Sequence, residues 1–123
     1  MSKKILVVDD EPQIVEVIQA RLQAQGYDVI TGANGQEALT KARSEMPDLI
    51  VLDLMLPKMD GYRVGRLLKL DELYKHIPIL ILSARMESEY QELGLEGGAD
   101  AFLSKPFDAE EFVAKIRELL KES

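Results

Sequence analysis

Continuous apolar segments recur three times along the chain, at Ile5–Val8, Leu49–Leu52 and Ile79–Leu82. Short apolar runs without polar alternation are typical of central strands in a parallel sheet, because helices cover both faces of such strands. Two segments with more polar residues, Tyr27–Thr31 and Ala101–Ser104, are predicted as edge strands. The pattern therefore predicts five strands.

Helical periodicity fills the intervals between these strands. Ile14, Ile18 and Leu22 repeat every four residues, and Gly26 is placed to end that helix. Asn34 is predicted as the N-cap of a second helix, with an acid three positions on. Further helices are predicted around Val64–Leu68, over Glu87–Glu96, where apolar anchors are sparse, and over Phe112–Leu120, with Asp108 as the N-cap.

The alternation of strands and helices predicts an α/β fold, with a doubly wound five-stranded parallel sheet and five helices. The three apolar strands belong in the centre, which favours the strand order 2-1-3-4-5. No linker, repeat or low-complexity segment interrupts the pattern, so residues 1–123 are predicted to form one domain. In sheets of this kind, ligands bind outside the carboxyl ends of the strands, near the switch in strand order.

Composition narrows the class of protein. The 123 residues include no cysteine, which excludes disulfides and thiolate metal sites. No apolar segment reaches the roughly 18 residues of a membrane span, and the amino-terminal residues do not resemble a signal peptide. We therefore expect a soluble cytoplasmic domain that does not bind membranes. The formal net charge of −7 argues against direct nucleic-acid binding, which favours a basic surface.

Carboxylates follow two of the central strands. Asp9 and Asp10 come directly after the first strand, and Asp53 ends the third. Because these strands are predicted neighbours, the three carboxylates are expected to share one pocket, where their mutual repulsion is unfavourable. A divalent cation that prefers oxygen ligands, Mg²⁺, would relieve that repulsion.

Two other polar side chains belong at the same edge of the predicted sheet. Ser83 ends the fourth strand, and Lys105 follows the fifth. A hydroxyl and an ammonium group are suited to anionic oxygens, so the group is typical of a site where a phosphoryl group meets a metal ion. Asp53 is central in this arrangement, and its carboxylate would act as the nucleophile that takes up phosphorus.

Four segments occur at strand ends in a fixed order: "ILVVDDEP", "LDLMLPKMDG", Ser83-Ala84 and "GADAFLSKPF". Together they resemble the receiver domains of two-component response regulators, over essentially the whole chain. The resemblance implies a flavodoxin-like fold of the CheY-like type. It also implies a phosphorylation-activated signalling switch within a phosphorelay.

The resemblance assigns roles to the acidic residues. Asp53 would accept a phosphoryl group from the phosphohistidine of a histidine kinase. Asp9, Asp10 and Asp53 would hold Mg²⁺, together with the backbone carbonyl of Met55. The domain would catalyse its own phosphorylation and a slow self-dephosphorylation, without turnover of a conventional substrate.

The same resemblance implies the parts of a switch. Ser83 and Lys105 would bind the phosphoryl oxygens. Phe102 occupies the aromatic switch position, where tyrosine is often found, and without the hydroxyl it would act with Ser83 through packing alone. Lys105-Pro106 resembles a cis peptide bond of the family, which is tolerated essentially only before proline.

The partners that the resemblance implies are proteins. A sensor histidine kinase or a phosphotransfer protein would supply the phosphoryl group, and a downstream protein target would bind the altered surface. The chain is expected to be a monomer or a weak phosphorylation-dependent dimer, with neither membrane nor direct nucleic-acid contacts.

Three alternative functions are weighed against this one. An aspartate-dependent phosphatase of the haloacid-dehalogenase type needs a second acid two residues after the nucleophile, where this chain has Met55. A flavodoxin-type domain needs a phosphate-binding loop after the first strand, where this chain has carboxylates. A receiver-like interaction module that is never phosphorylated would carry the same residues, and the sequence leaves this alternative open.

Overall fold

The computed structural model describes residues 2–53, 61–83 and 99–121, and in these ranges it contains five strands and four helices. The strands are β1 (Lys4–Val8), β2 (Asp28–Gly32), β3 (Leu49–Asp53), β4 (Ile79–Ser83) and β5 (Ala101–Ser104). The helices are α1 (Pro12–Ala24), α2 (Gly35–Glu45), α3 (Gly61–Lys69) and α4 (Ala109–Leu119). The helix predicted over Glu87–Glu96 lies outside the described residues.

All neighbouring strands are parallel, and their order in the sheet is β2-β1-β3-β4-β5. This order confirms the predicted α/β fold class. It also places the two more polar strands at the edges, as their composition indicated. The prediction for β2 was one residue early, because the parallel ladder pairs Gly32 with Val8 and extends the strand to that glycine.

The sheet separates two apolar cores, because successive side chains of a strand point to opposite faces. On one face, Leu6 and Val8 of β1 pack in a cluster that includes residues of α2 and α3. On the other face, Ile5 and Val7 pack in a cluster that includes residues of α1 and α4. All four of these side chains are at most 1% exposed, which explains why the strands are continuously apolar.

Local hydrogen bonds set the starts of two helices as predicted. The Asn34 side-chain oxygen accepts a hydrogen bond from the Glu37 N–H at 2.9 Å, and the Asn34 amide donates back to the Glu37 carboxylate at 3.1 Å. The Asp108 carboxylate accepts a hydrogen bond from the Glu110 N–H at 2.9 Å. These bonds satisfy N–H groups that the first helical turn leaves without partners.

The end of α1 is set by Gly26. Its backbone φ of 89° lies in the left-handed region, which glycine adopts without the steric penalty of a side chain. The chain then turns directly into β2, so that β2 lies beside β1. In the described ranges, no helix has the length and hydropathy that crossing a membrane requires.

Candidate functional site

Three carboxylates meet at the carboxyl edge of the sheet. Asp53 is the last residue of β3, and Asp9 follows the last residue of the neighbouring β1. Because Val8 is paired with Leu52, the next residues along the two strands, Asp9 and Asp53, lie side by side. One carboxylate oxygen each from Asp9, Asp10 and Asp53 lie within 4.8 Å of one another, as the sequence predicted.

The three acids differ in their exposure to solvent. Asp9 is 3% exposed and Asp53 is 6% exposed, and they are the buried charged residues of the described chain. Asp10 is exposed. Burial of a charge is costly unless partners compensate for it, so the two buried carboxylates require nearby positive charge or hydrogen-bond donors.

Lys105 supplies part of that compensation. Its Nζ donates to Asp9 Oδ2 at 2.6 Å and to Asp53 Oδ2 at 3.2 Å, and the lysine side chain is 10% exposed. The sequence predicted that Lys105 belongs at this edge. It did not predict that the ammonium group would bridge the two buried carboxylates, nor that Asp9 would be the nearer of the two.

The neighbouring carboxylates stabilise the charged form of Lys105. Burial by itself lowers the pKa of its ammonium group. The hydrogen bond to Asp9 and the negative charges of Asp53 and Asp9 more than offset that effect, so the pKa lies above its ordinary value. Lys105 therefore carries a positive charge throughout the physiological pH range.

Glu11 also borders the site, although the sequence assigned no role to it. It stands at the N-cap position of α1, but its side chain makes no capping hydrogen bond. Its backbone N–H donates to Asp9 Oδ1 at 3.0 Å, which fixes the orientation of that carboxylate. Its own carboxylate lies 4.0 Å from Lys105 Nζ and is 57% exposed, so this contact contributes little. The run of three consecutive acids after a buried strand is the sequence feature that indicates a place for Glu11 near the site.

The donor set fits a hard divalent cation. Asp9, Asp10 and Asp53 carry three negative charges against the single positive charge of Lys105, which leaves two negative charges in excess. Mg²⁺ binds through oxygen ligands, usually one or two carboxylates with water and phosphate oxygens completing its shell. Three carboxylate oxygens within a few ångströms of one another match that preference.

Some of the remaining predicted residues lie in the described part of the structure, and others lie partly or wholly outside it. Phe102 lies in β5 opposite Ile81 of β4, and its partly buried ring packs against the cluster on the α2 and α3 face of the sheet. The Lys105-Pro106 peptide bond is cis, as the resemblance implied. Met55 lies outside the described residues. The backbone of Ser83 pairs with Ser104 at the end of β4, and its side chain lies outside the described part of the chain.

A sequence profile of the family described as "Response regulator receiver domain" matches residues 5–117. The chain belongs to this family. The match covers β2 to β5, all of β1 except Lys4, and most of α4, so it agrees with the observed fold.

Curated relatives of this receiver domain are response regulators about twice its length. The chain is 51% identical over 123 residues to the alkaline phosphatase synthesis transcriptional regulatory protein PhoP of Bacillus subtilis, covering 100% of this chain and 50% of PhoP. It is 42% identical over 121 residues to the DNA-binding response regulator MtrA of Mycolicibacterium smegmatis, covering 98% and 52%. The chain therefore spans about half the length of the curated relatives it matches.

Solved receiver structures superpose closely on this one. The chemotaxis protein CheY4 of Vibrio cholerae matches with a TM-score of 0.91 and 34% identity, over 97% of this chain and 99% of that one. The receiver domain of the sensor histidine kinase PA1611 of Pseudomonas aeruginosa matches with a TM-score of 0.92 and 31% identity, over 99% and 100%. The latter is described with a magnesium ion coordinated in its active-site cleft.

The prediction that direct nucleic-acid binding plays no part is wrong for this group of proteins. MtrA and RpaA, a relative from Synechocystis that is 42% identical over 118 residues, are both named as DNA-binding regulators. The prediction failed because it used the net charge of these 123 residues alone. In those relatives, about half of the chain lies beyond the part that this receiver domain matches.

Proposed function

We propose that this receiver domain takes up a phosphoryl group on Asp53 from the phosphohistidine of a histidine kinase, and that this modification switches its binding surface. The observation that carries the proposal is the arrangement at the sheet edge. Asp53 ends the central strand β3, with oxygens of two further carboxylates within 4.8 Å and the Lys105 ammonium within hydrogen-bonding distance. Membership of the receiver-domain family supports the same proposal.

Asp9, Asp10 and Asp53 would hold the magnesium ion. When bound, the ion would neutralise the excess negative charge of the pocket and of the incoming phosphoryl oxygens, which is the main requirement of phosphoryl transfer. The Glu11 N–H would keep the Asp9 carboxylate turned towards this position, since it already holds one of its oxygens. Met55, through its backbone carbonyl, remains a proposed ligand from the resemblance.

The transfer itself is a displacement at phosphorus. A carboxylate oxygen of Asp53 forms the new P–O bond as the P–N bond of phosphohistidine breaks. The bonding electrons pass to the imidazole nitrogen of the kinase, and the histidine leaves as neutral imidazole because its other ring nitrogen already carries a proton. Asp53 needs no general base, because its carboxylate is already ionised when it is paired with Lys105.

Phosphorylation would redistribute the charges that Lys105 contacts. A phosphoryl group on Asp53 adds negative charge and acceptor oxygens, and these compete with Asp9 for the lysine ammonium. We propose that Lys105 and Ser83 bind those oxygens, and that Phe102 repacks against its cluster as the end of β5 adjusts. The names of the relatives point to transcription as the process that such a switch would serve.

The test uses a small phosphoryl donor, so that the result does not depend on a cognate kinase. The protein is incubated with acetyl phosphate and Mg²⁺, and intact-mass spectrometry measures the gain of one phosphoryl group. We expect the gain in the wild type and its loss in Asp53→Asn. Asp28→Asn, which removes an exposed carboxylate at the start of the edge strand β2, is the matched control and should behave as the wild type.

Two results would contradict the proposal. A mass gain that persists in Asp53→Asn would place the acceptor elsewhere. A wild type that gains no mass, with acetyl phosphate and with a panel of purified histidine kinases, would favour the interaction module that is never phosphorylated.

A further inference from the structure

Lys105 sits on a short connection, and its position depends on what anchors that connection. The lysine directly follows β5 and precedes α4, which begins at Ala109. On its amino-terminal side the chain is fixed by the ladder that pairs Ser104 with Ser83. A lysine side chain has many rotamers and loses entropy when it is held in one place. The connection therefore also needs an anchor on the carboxyl side of Lys105.

The aromatic ring of Phe107 supplies the second anchor. Phe107 lies two residues after Lys105, and its ring stacks on that of Phe112 with centroids 5.0 Å apart and planes inclined by 29°. Phe112 is 0% exposed and belongs to the core cluster on the α1 and α4 face of the sheet. Stacked aromatic pairs of this kind stabilise by roughly 0.5–1.5 kcal/mol beyond the area that they bury.

Phe107 is partly buried against the same core cluster, and it also borders a groove at the surface. Phe107 and Lys105 both border a groove whose far wall is formed by Ile14 and Val17 of α1. Val17 is 56% exposed, so this groove is open to solvent. The stack on Phe112 and the Asp108 cap of α4 therefore both anchor the connection on the carboxyl side of Lys105.

We propose that Phe107 is a positioning residue for Lys105: its stack on Phe112 holds the lysine ammonium against Asp9 and Asp53. Phe107 does not touch the reacting atoms in this role and acts only through the lysine. The inference rests on the proposed function, in which the same three carboxylates and Lys105 form the phosphorylation site.

The direction of the change in Mg²⁺ affinity separates a positioning role of Phe107 from general structural support. The Lys105 ammonium occupies two of the carboxylates that would hold Mg²⁺, so the lysine and the cation compete electrostatically. Loss of the lysine charge in Lys105→Met should tighten Mg²⁺ binding by roughly tenfold. If Phe107 holds the lysine in place, Phe107→Leu should also tighten Mg²⁺ binding, by about threefold. A residue that merely keeps the site folded would weaken Mg²⁺ binding when it is truncated.

The experiment is a double-mutant cycle followed by isothermal titration calorimetry with Mg²⁺. We expect Phe107→Leu to have no further effect in the Lys105→Met background, because the two changes act through one group. Phe107→Tyr keeps the ring and should retain the wild-type affinity. Leu119→Ala is the matched control, since it truncates a partly buried side chain of the same cluster at the far end of α4. This control should not tighten Mg²⁺ binding.

A second measurement tests the positioning role of Phe107 in the absence of metal. NMR measures the hydrogen exchange of the Lys105 ammonium protons, which we expect the ion pairs to slow. Phe107→Leu should accelerate that exchange, and Leu119→Ala should not. Equal exchange in wild type and Phe107→Leu would overturn the proposal, as would weaker Mg²⁺ binding in Phe107→Leu or effects that multiply in the double variant. A wild type that binds no Mg²⁺ would overturn the metal site proposed above, and the ammonium signal would still decide on Phe107.

Discussion

Two lysine–aspartate groups lie at opposite edges of the same sheet. At the amino edge, Lys69 Nζ lies 3.0 Å from Asp100 Oδ2 and donates to the backbone carbonyls of Lys75 and Ile77 at 3.0 and 2.8 Å. The same Asp100 oxygen accepts a hydrogen bond from the N–H of Ile79 at 2.8 Å. At the carboxyl edge, Lys105 lies between Asp9 and Asp53, with the carboxylate of Asp10 in the same group.

The two groups differ in their charge balance. Among the described residues, the amino-edge group sets one ammonium against one carboxylate, and backbone groups take up further hydrogen bonds of both. The carboxyl-edge group sets three carboxylates against one ammonium. In a balanced group each charge has a partner within the fold, whereas an excess of like charge at a partly buried site is unfavourable without a further cation. We therefore expect the amino edge to support the fold and the carboxyl edge to hold the proposed cation.

The largest effect expected from this difference is stabilisation by Mg²⁺. At a Mg²⁺ concentration about 100 times its dissociation constant, binding to the native state should raise the free energy of unfolding by about 2.7 kcal/mol. Urea denaturation with and without Mg²⁺ measures the change. Asp100→Asn should retain the full effect, and Asp9→Asn should lose most of it. An equal loss in both variants would remove the distinction between the two edges.

A smaller effect is expected when the balanced group is broken. Lys69→Met leaves Asp100 and two backbone carbonyls without their ammonium partner, and the lysine side chain is 20% exposed. We expect the free energy of unfolding to fall by about 1–2 kcal/mol in the absence of metal, measured by urea denaturation. Lys75→Met is the control, because its ion pair with Glu72 is largely exposed and should contribute almost nothing. Unchanged stability in Lys69→Met would show that this group does not support the fold.

The smallest effect is opposite in sign to that of Lys69→Met. Asp10→Asn removes one of the excess negative charges at the carboxyl edge and does not remove a carboxylate that Lys105 contacts. In chelator-containing buffer we expect it to raise the free energy of unfolding by about 0.5 kcal/mol, through relief of like-charge repulsion. Asp28→Asn, at an exposed position outside the group, should change little. A decrease in Asp10→Asn equal to that of Lys69→Met would mean that the acids are structural partners.

The elements of the fold were largely predictable from local patterns. The apolar runs identified β1, β3 and β4 as central strands, because a strand that is covered on both faces has no polar alternation. Asn34 and Asp108 were correctly predicted as helix caps, since a cap depends on the side chain and the two or three residues after it. The error of one residue in β2 arose because the end of an edge strand is set by its partner, here the pairing of Gly32 with Val8.

The candidate site was predictable only as a set of residues at one edge. Parallel strands bring their carboxyl ends together, so the topology alone gathered Asp9, Asp53 and Lys105. The chain order carries no information on which carboxylate the lysine meets more closely. That contact joins residues 96 positions apart and depends on the packing of β5 beside β4.

The sequence by itself determined which segments form strands and helices, the strand order and the chemical types at the carboxyl edge, because these follow from local propensity, burial patterns and chain connectivity. The tertiary structure alone decided that Lys105 bridges Asp9 and Asp53, that Lys69 and Asp100 form a balanced group at the other edge, and that Phe107 stacks on Phe112. The physical reason is that distances of a few ångströms between residues far apart in sequence are set by how side chains pack in two cores at once, and no local pattern encodes that packing.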